Sequence, residues 1–224
     1  MNKDDQFHRD MQRYIAVTTI GPSTLRNQKA RGVIEAAQKY LAGVELTAFI
    51  ARNEDDFLES LKIQTEQLRT ALPLGAQNWG AARKALNLFL RDVCYNRFLC
   101  ERYDLARSED WMEIPLDGLV ARSLKRKAGR GKLPPWPGLI ELTAEISRCF
   151  QAFAKDHAVS KGISRIHLDM RLWTEERGGH GELDAPENGA NVTPIRNSGA
   201  GGDLPSGSCA IKPSQIARPS IGFI

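Results

Sequence analysis

The sequence has little of what marks membrane, secreted or metal-binding proteins. It holds four cysteines in 224 residues, and no two form a C-x-x-C pair, so neither a zinc site nor a disulfide framework is indicated. No stretch approaches the roughly 18 uninterrupted apolar residues of a membrane-spanning helix. The first thirteen residues are polar and lack the apolar core of a secretory signal. These absences predict a protein without a membrane span that resides in the reducing cytoplasm.

Sequence motifs of common catalytic and cofactor sites are also missing. There is no phosphate-binding Walker loop, no G-x-G-x-x-G dinucleotide fingerprint and no G-x-S-x-G nucleophile elbow. The four histidines are scattered, and no two have the H-x-x-x-H spacing of a metal site. The sequence therefore predicts neither a metal ion nor any other cofactor.

Composition divides the chain into two parts. Residues 178–224 contain nine Gly, five Pro and five Ser with few large apolar side chains. Such a segment buries too little apolar surface to offset the entropy of ordering it, so we expect a disordered tail. Residues 1–177 instead carry apolar side chains at helical spacing and show no convincing strand pattern. The sequence predicts an all-α fold, a single compact multi-helix domain over 1–177.

Two helix starts are well marked in this domain. Asn53 precedes three acidic residues and an apolar stripe, as expected for a capping side chain followed by negative charge in the first turn. Asn78 precedes the strongest helical pattern, which we expect to continue to about Tyr103. Pro115 breaks the chain, and another helix is predicted to start at Leu116 and Asp117. A further helix is predicted over 139–158. Residues 163–173 fit a strand or the start of a last helix, of which we favour the helix.

The predicted 78–103 helix carries polar side chains at a spacing of four. Arg83, Asn87 and Arg91 share one face, with Lys84 beside them. Two interpretations are open. The face contacts nucleic-acid phosphates, with Arg83 and Arg91 as the cations, or it is simply solvated.

A second basic segment lies in the middle of the chain. The basic run, defined here as residues 122–132, holds six basic residues and no acid, and Gly129 and Gly131 interrupt it. We expect a flexible loop that either follows a nucleic-acid backbone or serves as a solvated linker. The basic residues are Arg122, Lys125, Arg126, Lys127, Arg130 and Lys132.

Two short motifs follow the basic run. Trp136-Pro137-Gly138-Leu139-Ile140-Glu141-Leu142-Thr143-Ala144 resembles the hairpin of helix-hairpin-helix proteins. Ile166-His167-Leu168-Asp169-Met170-Arg171-Leu172-Trp173 resembles the catalytic-aspartate segment of the DNA glycosylases that contain this hairpin. The resemblance implies that the turn made by Pro137 and Gly138 exposes backbone N–H groups, which hold a DNA phosphate together with the N-terminus of the following helix. It also implies that Asp169 is the catalytic carboxylate and that Trp136 and Trp173 line a base pocket.

The match has three departures. Ile140 stands where the family has a second glycine, and Leu142 stands where members with lyase activity have a lysine. The separation between Leu142 and Asp169 is longer than is usual in the family. The resemblance therefore implies a monofunctional enzyme without Schiff-base chemistry. The plainer alternatives are a Pro-Gly loop before an amphipathic helix, and an aspartate that caps a helix beginning at Met170.

Three hypotheses for the function remain open. The protein is a monofunctional DNA N-glycosylase, a DNA-binding module without chemistry, or a helical module that binds another protein. Residues 78–126 also resemble bacterial proteins of no assigned activity, which implies a discrete family but no chemistry. The sequence does not decide whether the protein is an enzyme.

Overall fold

The chain folds into packed helices. The computed structural model describes residues 3–25, 27, 28 and 30–177, and over these ranges it contains no β-strand. The all-α prediction is confirmed. None of the helices in this part of the chain is long and apolar enough to cross a membrane. The tail predicted for 178–224 lies outside the described residues.

Eight α-helices and three short 3-10 helices make up the described chain. The α-helices are α1 (Lys3–Thr19), α2 (Val33–Ala42), α3 (Glu54–Ala71), α4 (Trp79–Tyr95), α5 (Arg97–Arg102), α6 (Gly118–Ala128), α7 (Ala144–Val159) and α8 (Leu168–Arg177). The 3-10 helices are Leu46–Phe49, Leu105–Trp111 and Arg165–His167.

Side-chain caps set the helix starts as the sequence predicts. The Asn53 side chain accepts the N–H of Asp56 at 2.9 Å, and the Asn78 side chain accepts the N–H of Ala81 at 2.9 Å. Each bond satisfies one of the four backbone donors that a helix start leaves unpaired. Both predicted starts, of α3 and α4, are confirmed.

The predicted 78–103 helix is wrong in its extent, because it is two helices. α4 ends at Tyr95, and Asn96 takes an extended conformation with φ −83° and ψ 109°. The Asn96 side chain then accepts the N–H of Leu99 at 3.1 Å and starts α5. Apolar spacing continues across the break, but the new cap turns the chain.

Two predicted boundaries downstream are also corrected. α7 begins at Ala144 rather than after Gly138, since the Thr143 hydroxyl accepts the N–H of Ile146 at 3.3 Å. The first half of the basic run is helical rather than a flexible loop. Asp117 caps α6 by accepting two backbone N–H groups, and the helix ends just before Gly129, whose φ is 86°.

Buried apolar side chains form two clusters. The first gathers α1 to α5, and the apolar face of α4 runs through it with Leu86, Phe89 and Val93. The second gathers α6, α7 and α8 around Phe150 and Leu172. The apolar side of α4 belongs to the first cluster, and its other side faces the second cluster.

That other side is the polar stripe of Arg83, Lys84, Asn87 and Arg91. Arg83 and Asn87 donate to Glu113, Lys84 pairs with Asp117 at 3.4 Å, and Arg91 donates to Asp169. Arg83, Lys84 and Asn87 are buried. We call these four residues and their three carboxylate partners the polar seam, because it joins the two apolar clusters. Arg83 and Asn87 therefore belong to neither a phosphate-facing row nor a solvated face.

Close packing also fixes the start of α4 against the segment before α7. A Cβ atom at Gly80 would lie 2.2 Å from the carbonyl oxygen of Leu139 and 2.8 Å from the Cβ of Leu142. Only glycine allows this approach. The segment that resembles the hairpin is thus held against α4.

Candidate nucleic-acid interface

The exposed side of α6 is basic. Val120, Leu124 and Ala128 point into the second apolar cluster, while Arg122 and Arg126 are exposed and Lys125 is half-buried. On a helix, positions 122, 125 and 126 share one face because residues three and four apart are neighbours. The helix therefore presents a row of cations, which we call the basic face.

Some cations of the basic run form ion pairs with acidic side chains, and others do not. Lys127 lies on the flank of α6 and forms an ion pair with Glu175 of α8 at 2.7 Å. Arg126 donates to the hydroxyl of Ser123 at 3.4 Å. Within the described residues, no carboxylate is paired with Arg122 or Lys125. Arg122 and Lys125 thus carry positive charge that no carboxylate of the described residues neutralises.

The chain beyond α6 extends this charge. Gly129 and Gly131 have φ of 86° and 79°, a left-handed conformation that favours glycine. The two glycines turn the chain out of the helix, and Arg130 and Lys132 are exposed in the segment that follows. Neither side chain has a carboxylate partner among the described residues. Arg122, Lys125, Arg130 and Lys132 thus follow one another along the chain, three of them exposed and Lys125 half-buried.

Pro137 and Gly138 lie in the irregular segment between α6 and α7. Both are half-buried, and Gly138 has φ 91° with open space where a Cβ atom would be. Glycine is required there by the backbone rather than by crowding. Gly138 does not adjoin the start of α7, and Ile140 is exposed between them.

The N-terminus of α7 already holds a carboxylate. Glu145 lies in its first turn. Hydrogen bonds from its own backbone N–H and from the Thr143 hydroxyl lower the pKa of Glu145. An ionised carboxylate thus occupies N–H groups that the resemblance assigns to a phosphate.

Trp136 lies beside the first residue of the basic face. Its ring packs edge-to-face on Phe150 with centroids 5.7 Å apart. A Cβ atom at Gly118 would lie 3.9 Å from the Trp136 Nε1 and 3.4 Å from an Nη atom of Arg122. The structure therefore brings an indole and a guanidinium together at the start of α6.

Asp169 takes part in the polar seam. It lies in the first turn of α8 and accepts a hydrogen bond from Arg91, which also pairs with Asp92 at 2.8 Å. Burial raises the pKa of Asp169, and Arg91 opposes that rise without cancelling it. Its side chain therefore binds another side chain rather than capping the helix.

Trp173 follows Asp169 by one helical turn. It is about half exposed, at 46%. It lies on α8, whereas Trp136 precedes α7, so the two tryptophans come from different elements. Asp169 is half-buried next to α4 while Trp173 faces outward, although both stand on α8.

The turn that follows α7 adds positive charge near α6, which the sequence alone does not show. Burial lowers the pKa of His157, and the nearby Lys127 and Lys161 lower it further. His157 stacks on Phe153 with ring planes 5° apart. The effect of Lys127 on His157 shows that the end of α7 lies close to α6. Lys161 therefore adds positive charge near this side of the molecule.

Comparison with protein-family models, with curated proteins and with solved structures found no match. Over the described part of the chain, no group of His, Cys, Asp and Glu side chains is arranged to hold a metal ion. A function therefore has to follow from the chemistry of the site itself.

Proposed function

We propose that the protein binds nucleic acid through the basic face of α6 and the exposed segment that follows it. The observation that carries the proposal is the row of Arg122, Lys125, Arg130 and Lys132, which no described carboxylate neutralises. Cations in such a row contact successive phosphates and release condensed counterions on binding. Because phosphates carry no sequence information, this contact positions the ligand without specifying its bases.

Trp136 extends the proposal from phosphates to bases. An indole next to a guanidinium offers a stacking surface beside a phosphate contact. Pro137 and Gly138 follow directly and are the residues at which helix-hairpin-helix proteins hold phosphate. We therefore place the centre of the interface between α6 and residue 138.

Binding without base excision fits the geometry better than a glycosylase. A glycosylase needs a carboxylate that faces the sugar of an extruded nucleotide. Asp169 is instead half-buried, and its carboxylate is bound to Arg91. Incubation with duplexes that contain damaged bases decides the question. Base release that Asp169→Asn abolishes would contradict binding alone.

Nucleic-acid binding of this kind should have a salt-dependent affinity that the basic face controls. Fluorescence anisotropy with labelled duplex and single-stranded DNA over a range of salt measures both the affinity and the salt slope. We call the protein in which Arg122, Lys125, Arg130 and Lys132 are replaced with Ala the basic-face variant. This variant should bind nucleic acid more weakly than the parent protein. It should also reduce the slope for duplex DNA by about 0.9 for each phosphate that the variant no longer neutralises.

A matched control removes the same charge elsewhere. Four exposed cations in local ion pairs, when replaced with Ala, give the same net charge as the basic-face variant. They are Arg52, Lys62, Arg97 and Arg107. If this variant weakens binding as strongly, net charge rather than the basic face explains the affinity. If the parent protein binds neither DNA, the protein-interaction hypothesis takes its place.

A further inference from the structure

A groove lined by several charged side chains lies between α3 and α7, and it shares no residue with the basic face. Its volume is about 570 Å³, within the size range of small-molecule pockets. Glu54, Asp55 and Glu59 line the α3 wall, and Arg148 and Lys155 line the α7 wall. Four residues form its floor, namely Trp79, Arg83, Glu113 and Arg165.

The floor holds two buried guanidinium groups and one carboxylate. Arg83 donates to both oxygens of Glu113, at 2.9 and 3.2 Å, and to the hydroxyl of Thr65 at 2.8 Å. Arg165 donates to three backbone carbonyls, those of Trp111, Met112 and Gln151. A guanidinium has five N–H donors, so two on each arginine have no acceptor among the described residues.

The charges of the groove do not balance. Glu113 is matched by Arg83, Glu54 by Lys155 at 2.7 Å, and Glu59 by Lys62 at 3.0 Å. Asp55 and Arg148 are both exposed, one on each wall. The lining as a whole holds five cations and four acids, which leaves one positive charge in excess. Arg165 forms no ion pair with a described carboxylate and is only 6% exposed.

An unmatched buried cation is unfavourable. Burial lowers the pKa of Arg165, and Arg83 lowers it further, while Glu113 and Glu54 act in the opposite direction. An arginine nevertheless stays protonated in proteins, so the charge persists. An anion in the groove would supply the missing partner and the missing acceptors.

We propose that this groove binds a small molecule that carries a carboxylate or phosphate group. The oxyanion lies against the free N–H groups of Arg165 and Arg83, because a planar guanidinium matches both kinds of oxyanion in a bidentate manner. The body of the ligand packs on Trp79, whose ring already contacts the Arg83 guanidinium at 5.3 Å. This site shares no residue with the basic face and does not depend on nucleic-acid binding.

The test is NMR of the arginine Nε–H groups in the full chain. Inorganic phosphate is added in one arm and succinate in another, with sodium chloride at equal ionic strength as the reference. We expect saturable shifts of Arg83 and Arg165 with at least one of the two anions, and the arm that saturates first identifies the preferred group. The proposal is overturned if neither anion gives a saturable shift, or if chloride gives the same shift.

A variant that fills the groove separates this site from general anion binding. Ala152 lines the groove from an exposed position on α7, so Ala152→Trp blocks the space without disturbing the core. Ala152→Ser at the same position leaves the groove open. We expect Ala152→Trp to weaken anion binding by about tenfold or more and Ala152→Ser to leave it unchanged. Equal affinity of the two variants would place the anion elsewhere.

The basic-face variant keeps the two proposals apart. Loss of Arg122, Lys125, Arg130 and Lys132 should leave the shifts of Arg83 and Arg165 intact. If those shifts disappear in this variant, the small anion binds at the basic face and the groove site is wrong.

Discussion

Asp169 shows how its surroundings determine the chemistry of one carboxyl group. It shares the guanidinium of Arg91 with Asp92, and Asp92 in turn accepts the Thr19 hydroxyl at 2.6 Å. Burial lowers the pKa of Arg91, but the two carboxylates outweigh it and raise that pKa overall. One cation thus serves two acids, and burial raises the pKa of Asp169 despite the ion pair.

This arrangement predicts the titration of Asp169. Its pKa, measured by carbon-detected NMR, should lie above the ordinary value of about 3.9 for aspartate. Arg91→Gln should raise it further, because Arg91 is the group that opposes the effect of burial. Arg97→Gln, an exposed arginine on α5, is the matched control and should leave the midpoint unchanged. A lower pKa in Arg91→Gln would contradict this account.

The same shift has a consequence for stability with a definite sign. An acid whose pKa is raised by folding contributes stability below its unfolded pKa, and this contribution is lost as pH rises through its folded pKa. The parent protein should therefore lose stability relative to Asp169→Asn over that pH interval. Urea unfolding at several pH values measures the difference.

At the scale of elements, helix caps determine where the chain turns. Asn53, Asn78 and Asn96 each accept a backbone N–H three residues ahead. Because α3 starts directly after Asn53, three acidic residues lie in its first turn, where the helix dipole favours negative charge. That turn positions Phe57 in the first apolar cluster and Glu54 in the wall of the groove.

The cap of α3 gives a prediction at this scale. Asn53→Ala should lower the free energy of unfolding by about 1 kcal/mol, because the N–H of Asp56 loses its acceptor. Asn53→Ser supplies a hydroxyl at the same place and should recover most of that loss. Urea denaturation compares the three proteins. Equal destabilisation by Ala and Ser would show that Asn53 acts through something other than its cap.

For the whole molecule, the polar seam is a buried connection between the two apolar clusters. The four seam residues on α4 are far in sequence from their carboxylate partners, Glu113, Asp117 and Asp169. Buried ion pairs contribute little net stability when intact, but breaking one is costly because a charge remains buried without a partner. The seam therefore makes the two halves depend on each other.

Removing one seam carboxylate should destabilise the whole protein. Glu113→Gln keeps the shape of the side chain and leaves Arg83 buried without its counter-charge, so we expect a loss of about 3–5 kcal/mol. Glu101→Gln removes a carboxylate from an exposed pair with Arg97 and should have little effect. Thermal unfolding followed by circular dichroism measures both. A loss in Glu113→Gln as small as that in Glu101→Gln would show that the seam does not couple the clusters.

Much of the helical architecture could be predicted from the sequence, because caps and apolar spacing act over a few residues. Asn53 and Asn78 mark their helix starts, and the apolar stripe of α4 is the stripe that packs. The extent of α4 was missed because apolar spacing continues through Asn96. The helix start at Asp117 was predicted, but the helical part of the basic run was predicted as a loop because Gly129 and Gly131 indicate one.

By itself the sequence determined the helical class, the two well-capped helices and the concentration of positive charge before residue 133. Only the tertiary structure decided which polar residues are buried. Asn87 and Glu113 are 26 positions apart and Arg91 and Asp169 are 78 apart. No local pattern distinguishes a solvated polar stripe from one that meets distant carboxylates. Packing of the second apolar cluster against α4 brings those partners together, and the same packing leaves the α6 cations outside.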